Sequence, residues 1–224
     1  MSNAIATCSG ASAEGAERRR IFRGGLTEAA EARAMVAAAE GKLGQIDILV
    51  NSAGAAKRHT IDEYEISAWQ QGMNAKYYPY INSMDAVRGS MIARGRGVIV
   101  NIIGMAGAAP RHDYICGATG NAALMAFTHG VGGESVKHGV RVFGINPSPT
   151  RSDRMQGLLQ FQAEKKFGDP ARWAELTSGF PFGRLAEPLE MARLAVFCTS
   201  PLCGYLSGTV IHVDGGQQYT TPGR

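Results

Sequence analysis

Short, largely apolar runs alternate with longer helical segments along this 224-residue chain, and that alternation limits the folds open to it. Runs at 46–50, 97–103, 140–146 and 209–213 have the length of strands. The first suits a strand covered on both faces, and 97–103 is the clearest buried strand. Helical patterns occupy 27–43, 61–94, 117–138 and 188–199, the second with a break near Tyr78 and Pro79. Strands that alternate with helices predict an α/β fold, with helices on both faces of a parallel sheet.

Charge and cysteine usage exclude several classes of function. Lysine and arginine outnumber acidic residues by 23 to 19, a small and dispersed surplus that gives no basis for nucleic-acid binding. We also expect no metal site, because the cysteines form no CxxC pair and have no histidine at zinc spacing. They are Cys8, Cys116, Cys198 and Cys203. No run approaches ~18 apolar residues and the first residues lack the features of a signal peptide, so we expect a cytoplasmic protein without a membrane span.

Several segments in order resemble the short-chain dehydrogenase/reductase family, and together they cover roughly residues 24 to 217. They are 46–54 (IDILVNSAG), 95–103 (GRGVIVNII), 141–149 (RVFGINPSP), 183–188 (GRLAEP) and 213–216 (VDGG). The resemblance implies one Rossmann-like domain over residues 1–224, built on a doubly wound parallel sheet. It also implies NAD or NADP as the cofactor, and the choice between these two stays open.

The resemblance places the cofactor at two strand ends. Small residues where a parallel strand ends let a dinucleotide approach the backbone. The cofactor-binding residues implied are Asn51, Ala53, Gly54, Pro147, Thr150 and Ser152.

The amino-terminal part departs from the family pattern. Only 45 residues precede Ile46, whereas three β-α repeats would need about 75–90. We therefore predict an N-terminally shortened fold that lacks the first strand, its glycine-rich turn and its helix. In the favoured register, 4–8 and 21–27 form the family's second and third strands, and Gly25 replaces an aspartate that contacts adenine. Loss of the central first strand predicts a rearranged sheet or help from a partner subunit.

The catalytic positions depart from the pattern as well. The family uses serine, tyrosine and lysine, and this chain has Gly104, Gly117 and Asn121 at those positions. Asn74 is assigned to the position of the family's asparagine. Tyr114 lies just before the helix and is the candidate to replace the missing proton donor. The catalytic candidates are therefore Asn74, Tyr114 and Asn121.

Two functions remain open. The first is an NAD(P)-linked oxidoreductase acting on a carbonyl or hydroxyl group with a degraded active site. The second is a non-catalytic homologue, a pseudoenzyme, that binds a ligand or forms a homodimer or homotetramer. Residues 151–180 resemble the family's substrate lid and carry apolar side chains such as Met155 and Phe161, so we expect a partly apolar small-molecule ligand.

Overall fold

Four parallel strands form the sheet in the part of the chain that the structure, a computed structural model, describes: residues 22, 24–54, 56–58 and 65–219. The strands are β1 (Ile48–Asn51), β2 (Gly97–Ile102), β3 (Val140–Pro147) and β4 (Val210–Val213). They lie in the order β1-β2-β3-β4, and each pair is parallel. All four carboxyl ends therefore meet at one edge of the sheet.

Six α-helices accompany this sheet in the described residues. They are α1 (Ala29–Leu43), α2 (Ile66–Lys76), α3 (Tyr78–Arg94), α4 (Ile115–Ser135), α5 (Asp153–Phe167) and α6 (Pro188–Thr199). Helices α1, α3 and α4 lie on one face of the sheet, and α6 lies on the other. This confirms the predicted doubly wound parallel α/β architecture.

Each face has its own apolar core. On the α3 face, Met91 and Val87 pack with Ile99 of β2. On the α6 face, Met191 packs with Phe143 of β3. A side chain of this size stabilises the fold by roughly 1.5–3 kcal/mol when fully buried. Because β3 has core on both sides, its largely apolar sequence is the pattern expected of an internal parallel strand.

Strand β1 differs from the prediction that its run is covered on both faces. Leu49 packs into the α3-face core, but Ile48 and Val50 point to the other face and remain 47% and 49% exposed. Helix α6 covers β2 and β3 on that face and leaves β1 open. The prediction was wrong for this strand because an apolar run reports hydrophobicity, whereas burial also needs a neighbouring element.

The break predicted within 61–94 is confirmed near its expected place. Helix α2 ends at Lys76, Tyr77 separates the helices, and α3 begins at Tyr78 with Pro79 in its first turn. Proline fits there because the first amides of a helix need no intrahelical acceptor. Residues 61–64 of that prediction lie outside the described residues.

The predicted lid segment contains more helix than its turn-rich sequence indicated. Helix α5 is followed by a 3-10 helix, Pro170–Gly179, that packs against it. Of the two strands predicted near the amino terminus, 4–8 lies outside the described residues. In the predicted strand at 21–27, residues 22 and 24–27 show no strand.

Candidate active site

The candidate site, called the cleft below, lies at the carboxyl edge of the sheet, where the end of α2 and the first half of α4 pass beside the segments that follow β1 and β2. Close packing of these two helices needs small residues, and Gly72 faces Cys116 across the contact. A methyl group on Gly72 would lie 3.0 Å from the Cβ of Cys116. The first turn of α4 is thereby held against α2.

Tyr114 fills the space that a side chain at position 117 would occupy. A methyl group on Gly117 would overlap the Tyr114 ring and lie 2.6 Å from its hydroxyl oxygen. Tyr114 ends the short 3-10 helix His112–Tyr114, and its backbone turns directly into α4. A phenol from outside the helix thus stands over the α-carbon of Gly117, which gives it room. That position 117 corresponds to the family's tyrosine stays a prediction.

Lys76 brings an ammonium group into the same cleft from the end of α2. The residue is only 6% exposed, and its Nζ donates a hydrogen bond of 2.8 Å to the carbonyl oxygen of Ile103. A longer contact of 3.5 Å joins Nζ to the hydroxyl of Tyr80. Burial, followed by the positive charge of Arg154, lowers the pKa of Lys76 to about 8.

Tyr80 supports this arrangement from α3. Its hydroxyl donates to the carbonyl oxygen of Ile102, and the ring lies 5.1 Å from the Lys76 ammonium. Burial, with the nearby Tyr114 second, raises the pKa of Tyr80. Tyr80 therefore stays neutral and acts as a fixed hydrogen-bonding group.

Asn121 lies in the cleft with an unsatisfied oxygen. The residue is 3% exposed, and its Oδ1 has no hydrogen-bond partner within the described residues. Its Nδ2 lies 3.3 Å from the point where a side chain on Gly104 would begin. Buried polar atoms in folded proteins are almost always paired, so an orphaned oxygen here indicates a place for a ligand or water donor.

Among the predicted cofactor residues of the first strand end, Asn51 has its side chain in the interior. Its Nδ2 donates to Asn101 Oδ1 at 3.0 Å, and its Oδ1 accepts from Ser83 Oγ at 2.7 Å. Ala53 is half-buried, and Gly54 has φ +148°. The Asn51 side chain is therefore occupied, and only its backbone is free to contact a cofactor. That Asn51, Ala53 and Gly54 bind the cofactor stays a prediction.

The second group follows β3. Pro147 ends the strand, Thr150 pairs with Ala186 in an isolated bridge, and Ser152 caps α5 by accepting from the Met155 amide at 3.2 Å. Ser152 is exposed, and its cap leaves the hydroxyl proton available to donate. Binding of the nicotinamide here stays a prediction.

The structure places Asn74 apart from the other two catalytic candidates. Asn74 is exposed on α2, whereas Lys76 is buried. Residues two apart on an α-helix lie on nearly opposite sides of it, about 200° around. The α2 side chain that reaches the cleft is therefore that of Lys76, and a catalytic part for Asn74 stays a prediction.

Sequence reasoning missed Lys76, although a signal for it exists. The buried positions of α2 are Ala68, Gly72 and Lys76, spaced four residues apart. Position 76 thus continues the buried stripe of an amphipathic helix. A lysine on such a stripe is uncommon and identifies a site worth examining.

The residues beside Tyr114 contribute charge pairs. Asp113 accepts a 2.8 Å salt bridge from Arg58 and a 3.3 Å one from Arg111, and His112 is exposed. Cys116 is buried, and that burial raises the pKa of its thiol, which disfavours the nucleophilic thiolate.

Within the described residues no cluster of three or more potential ligands could hold a metal, and no helix is long and apolar enough to cross a membrane.

Comparison with known proteins gives consistent matches over most of the chain. Residues 5–218 match a family model described as enoyl-(acyl carrier protein) reductase. The chain is 31% identical to the 3-oxoacyl-(acyl-carrier-protein) reductase FabG of Vibrio harveyi over 176 residues, 77% of this chain and 67% of that protein.

Two solved structures share the fold. L-sorbose reductase from Gluconobacter frateurii, complexed with NADPH and L-sorbose, matches with a TM-score of 0.81 and 26% identity, covering 89% of this chain and 77% of that one. An NADPH-bound short-chain oxidoreductase from Pseudomonas aeruginosa is described as containing an atypical catalytic center. It matches with a TM-score of 0.77 and 29% identity, covering 88% of this chain and 75% of that one. The motifs, the parallel sheet and these matches agree, and the chain belongs to the short-chain dehydrogenase/reductase family.

Proposed function

We propose that this protein is an NAD(P)-linked oxidoreductase that interconverts a carbonyl and a hydroxyl group, with Tyr114 as the proton donor and acceptor. The observation that carries the proposal is the position of the Tyr114 ring over Gly117. A phenol entering from outside α4 supplies the group that glycine lacks. The family membership and the NADPH in two matched structures support the choice of cofactor.

The described residues fit a dinucleotide at this edge. The unpaired Oδ1 of Asn121 can accept a hydrogen bond from a ribose hydroxyl, and the backbone of Gly54 follows the end of β1. Ser152 offers a hydroxyl near the end of β3. When bound, the nicotinamide would supply or accept the two electrons and the hydrogen that move to or from the substrate carbon.

The residues of the chain have defined parts in this reaction. In the direction of reduction, the Tyr114 hydroxyl gives its proton to the oxygen of the former carbonyl, and that proton is replaced from solvent. Such proton transfer contributes about 10²–10⁴-fold to a rate. Asn121 orients the cofactor, and no side chain at Gly104 competes for space around the substrate.

The test begins with fluorescence titrations of NADH and NADPH, followed by a panel of carbonyl substrates. We expect saturable micromolar binding and measurable reduction. Tyr114→Phe should lower kcat/KM about 100-fold or more while leaving NADPH affinity within about threefold. Tyr205→Phe is the matched control, because Tyr205 is fully exposed. Equal turnover by Tyr114→Phe and the wild type would reject Tyr114 as the proton donor.

A non-catalytic binding role is the second candidate. It is favoured by Gly104, which provides no hydroxyl to hold a substrate oxygen and leaves a wider cleft. NADPH binding without reduction of any carbonyl would select this role. A degraded site and impaired cofactor binding are thus measurable alternatives.

The remaining expectations accompany the proposal. We propose a single domain in the cytoplasm, with 151–180 as a lid over a partly apolar small substrate. A homodimer or homotetramer is supported by the exposed apolar side chains of α6 and the turn after it. These are Leu189, Val196, Phe197, Leu202 and Tyr205. Light scattering that gives the mass of one chain would exclude the oligomer.

A further inference from the structure

Lys76 is a buried ammonium group whose recorded hydrogen-bond partners are neutral. Its Nζ contacts the Ile103 carbonyl and the Tyr80 hydroxyl, and no carboxylate in the described residues forms a salt bridge with it. The other charge acting on it, that of Arg154, is also positive. Burying a cation without an acidic partner is costly, so a folded protein that does so has a use for the charge.

The surrounding backbone makes room for the long side chain. A methyl group on Gly54 would lie 3.3 Å from the Lys76 Cδ, and one on Gly120 would lie 3.4 Å from its Cβ and Cγ. The stem thus runs between two α-carbons that carry no side chain. This packing fixes the position of the ammonium group at the end of β2.

The hydrogen-bonding capacity around the ammonium group is incompletely used. An ammonium has three donors. The Ile103 carbonyl takes one at 2.8 Å, and the 3.5 Å contact with Tyr80 is long for a hydrogen bond. Asn121, from the same stretch of α4 as Gly120, has an orphaned oxygen as well. The cleft beside Gly104 therefore contains spare donors, a spare acceptor and a fixed positive charge.

We infer that Lys76 holds a negatively charged oxygen of the bound ligand in the cleft beside Gly104. This inference rests on the proposed function, in which that oxygen belongs to the substrate carbonyl. As the carbonyl π electrons move to the oxygen, the ammonium charge stabilises the developing negative charge. The oxygen then takes its proton from Tyr114, and Lys76 retains all three of its own.

The charge of Lys76 makes this binding depend on pH. The titratable and charged groups that act on it in the described residues are Tyr80 from α3 and Arg154 from α5. Tyr114, before α4, acts on Tyr80. Tyr80 stays neutral because burial raises its pKa. Lys76, with its pKa near 8, is charged at pH 6.5 and neutral at pH 9.5. An anion should therefore bind at the lower pH and be released at the higher.

The direct test uses acetate, a carboxylate whose oxygen replaces the charged substrate oxygen, and follows its binding by NMR. Titrations with and without NADP⁺ at pH 6.5 and 9.5 compare the wild type with Lys76→Met, Lys76→Arg and the surface control Lys137→Met. We expect acetate to bind the wild type and Lys137→Met at least tenfold more tightly at pH 6.5 than at pH 9.5. Lys76→Met should lose this binding, and Lys76→Arg should retain part of it.

Turnover provides the second readout. We expect Lys76→Met to lower kcat/KM for reduction about 100-fold while NADPH affinity changes less than about threefold. Lys76→Asn should be equally impaired. If Lys76→Met does not fold, by circular dichroism, Lys76→Gln replaces it.

The outcomes separate the two proposals. Acetate binding that is the same in Lys76→Met and the wild type, or absent from the wild type, would overturn the part assigned to Lys76. Carbonyl reduction that persists unchanged in Lys76→Met would overturn it too. Acetate binding that depends on Lys76, in a protein that reduces no carbonyl, would reject the proposed oxidoreductase activity and leave the anion site standing.

Discussion

Two buried polar clusters lie on neighbouring parts of the molecule and differ in how completely they are paired. The closed cluster consists of Asn51, Ser83, Asn101 and Thr128. Ser83 donates to Asn51 at 2.7 Å, Asn51 to Asn101 at 3.0 Å, and Asn101 to Thr128 at 3.0 Å. The open cluster, Lys76, Tyr80 and Asn121, contains a cation without an acid and an amide oxygen without a donor.

The difference distinguishes polar side chains that stabilise the fold from polar side chains that are available to a ligand. In the closed cluster each amide has a protein partner, so its hydrogen bonds join β1 and β2 to helices α3 and α4 without help from a ligand. The open cluster lacks partners at the carboxyl edge of the sheet, where ligands of open α/β folds bind. Mutations in the two clusters should therefore affect different properties.

The largest expected effect is a loss of stability in the closed cluster. Asn101→Ala removes a fully buried amide and leaves Asn51 and Thr128 without that partner. The cavity and the unpaired groups should lower the free energy of unfolding by about 3–4 kcal/mol, measured by urea denaturation. Asn74→Ala is the exposed control and should change it by less than ~0.5 kcal/mol. An Asn101→Ala protein as stable as the wild type would erase the distinction between the clusters.

The second effect is a pH-dependent stability that belongs to the open cluster. The pKa of Lys76 is about 8 in the folded protein and ~10.4 in an unfolded chain. Between those values the unfolded state binds more protons, so the free energy of unfolding should rise with pH. The destabilisation is fully present below pH 8, and its relief amounts to about 2–3 kcal/mol by pH 10.5.

Urea denaturation at a series of pH values checks this expectation. Lys76→Met should lack the rise and be more stable than the wild type at pH 7, since it removes a buried charge. Lys137→Met, on the surface beside Glu134, should show the same rise in the free energy of unfolding with pH as the wild type. If the free energy of unfolding changed with pH in the same way for Lys76→Met and the wild type, burial of the Lys76 charge would not destabilise the fold.

A smaller effect tests the orphaned amide of Asn121. Asn121→Leu keeps the branched shape and the number of side-chain heavy atoms and removes an oxygen that has no partner, so the free energy of unfolding should change by less than about 1 kcal/mol. NADPH affinity, by fluorescence titration, should fall about tenfold, equivalent to ~1.4 kcal/mol. A large loss of stability with unchanged affinity would place Asn121 with the closed cluster.

The smallest effect compares two glycines of α4. Gly130 has no atoms within 4 Å of an added methyl group, so Gly130→Ala should stabilise the helix by about 0.5–1 kcal/mol. Gly117→Ala should lose this gain, because its methyl group overlaps the Tyr114 ring. Thermal denaturation measures both, and reduction by Gly117→Ala should fall as the phenol is displaced. If Gly117→Ala were more stable than the wild type and fully active, Gly117 would not be needed to make room for the Tyr114 ring.

Much of the fold could be predicted because its signals are local. Strand β3 and helix α6 lie within a residue of their predicted bounds, since an apolar run closed by proline and a proline-initiated helix are specified by neighbouring residues. The exposed side of β1 could not be predicted in the same way. Burial of Ile48 and Val50 depends on an element distant in sequence.

The site was harder to predict for the same reason. The resemblance to the family predicted that Gly104 and Gly117 stand at the serine and tyrosine positions. Only three-dimensional packing shows the Tyr114 ring over Gly117. The lysine needed a different kind of information. Lys76 is distinguished from Asn74 by the register of α2, which a motif search ignores and a helical stripe would have shown.

The passage of Lys76 between Gly54 and Gly120 makes these two glycines unequal in evolution. A β-carbon added on Gly54 would lie 2.8 Å from a backbone oxygen, that of Ala75, so a shorter side chain at position 76 would not make room for it. At Gly120 the nearest atoms belong to the Lys76 side chain at 3.4 Å, which is an ordinary van der Waals contact. Alanine can therefore replace Gly120 while Lys76 stays, whereas position 54 should remain glycine in descendants of this chain.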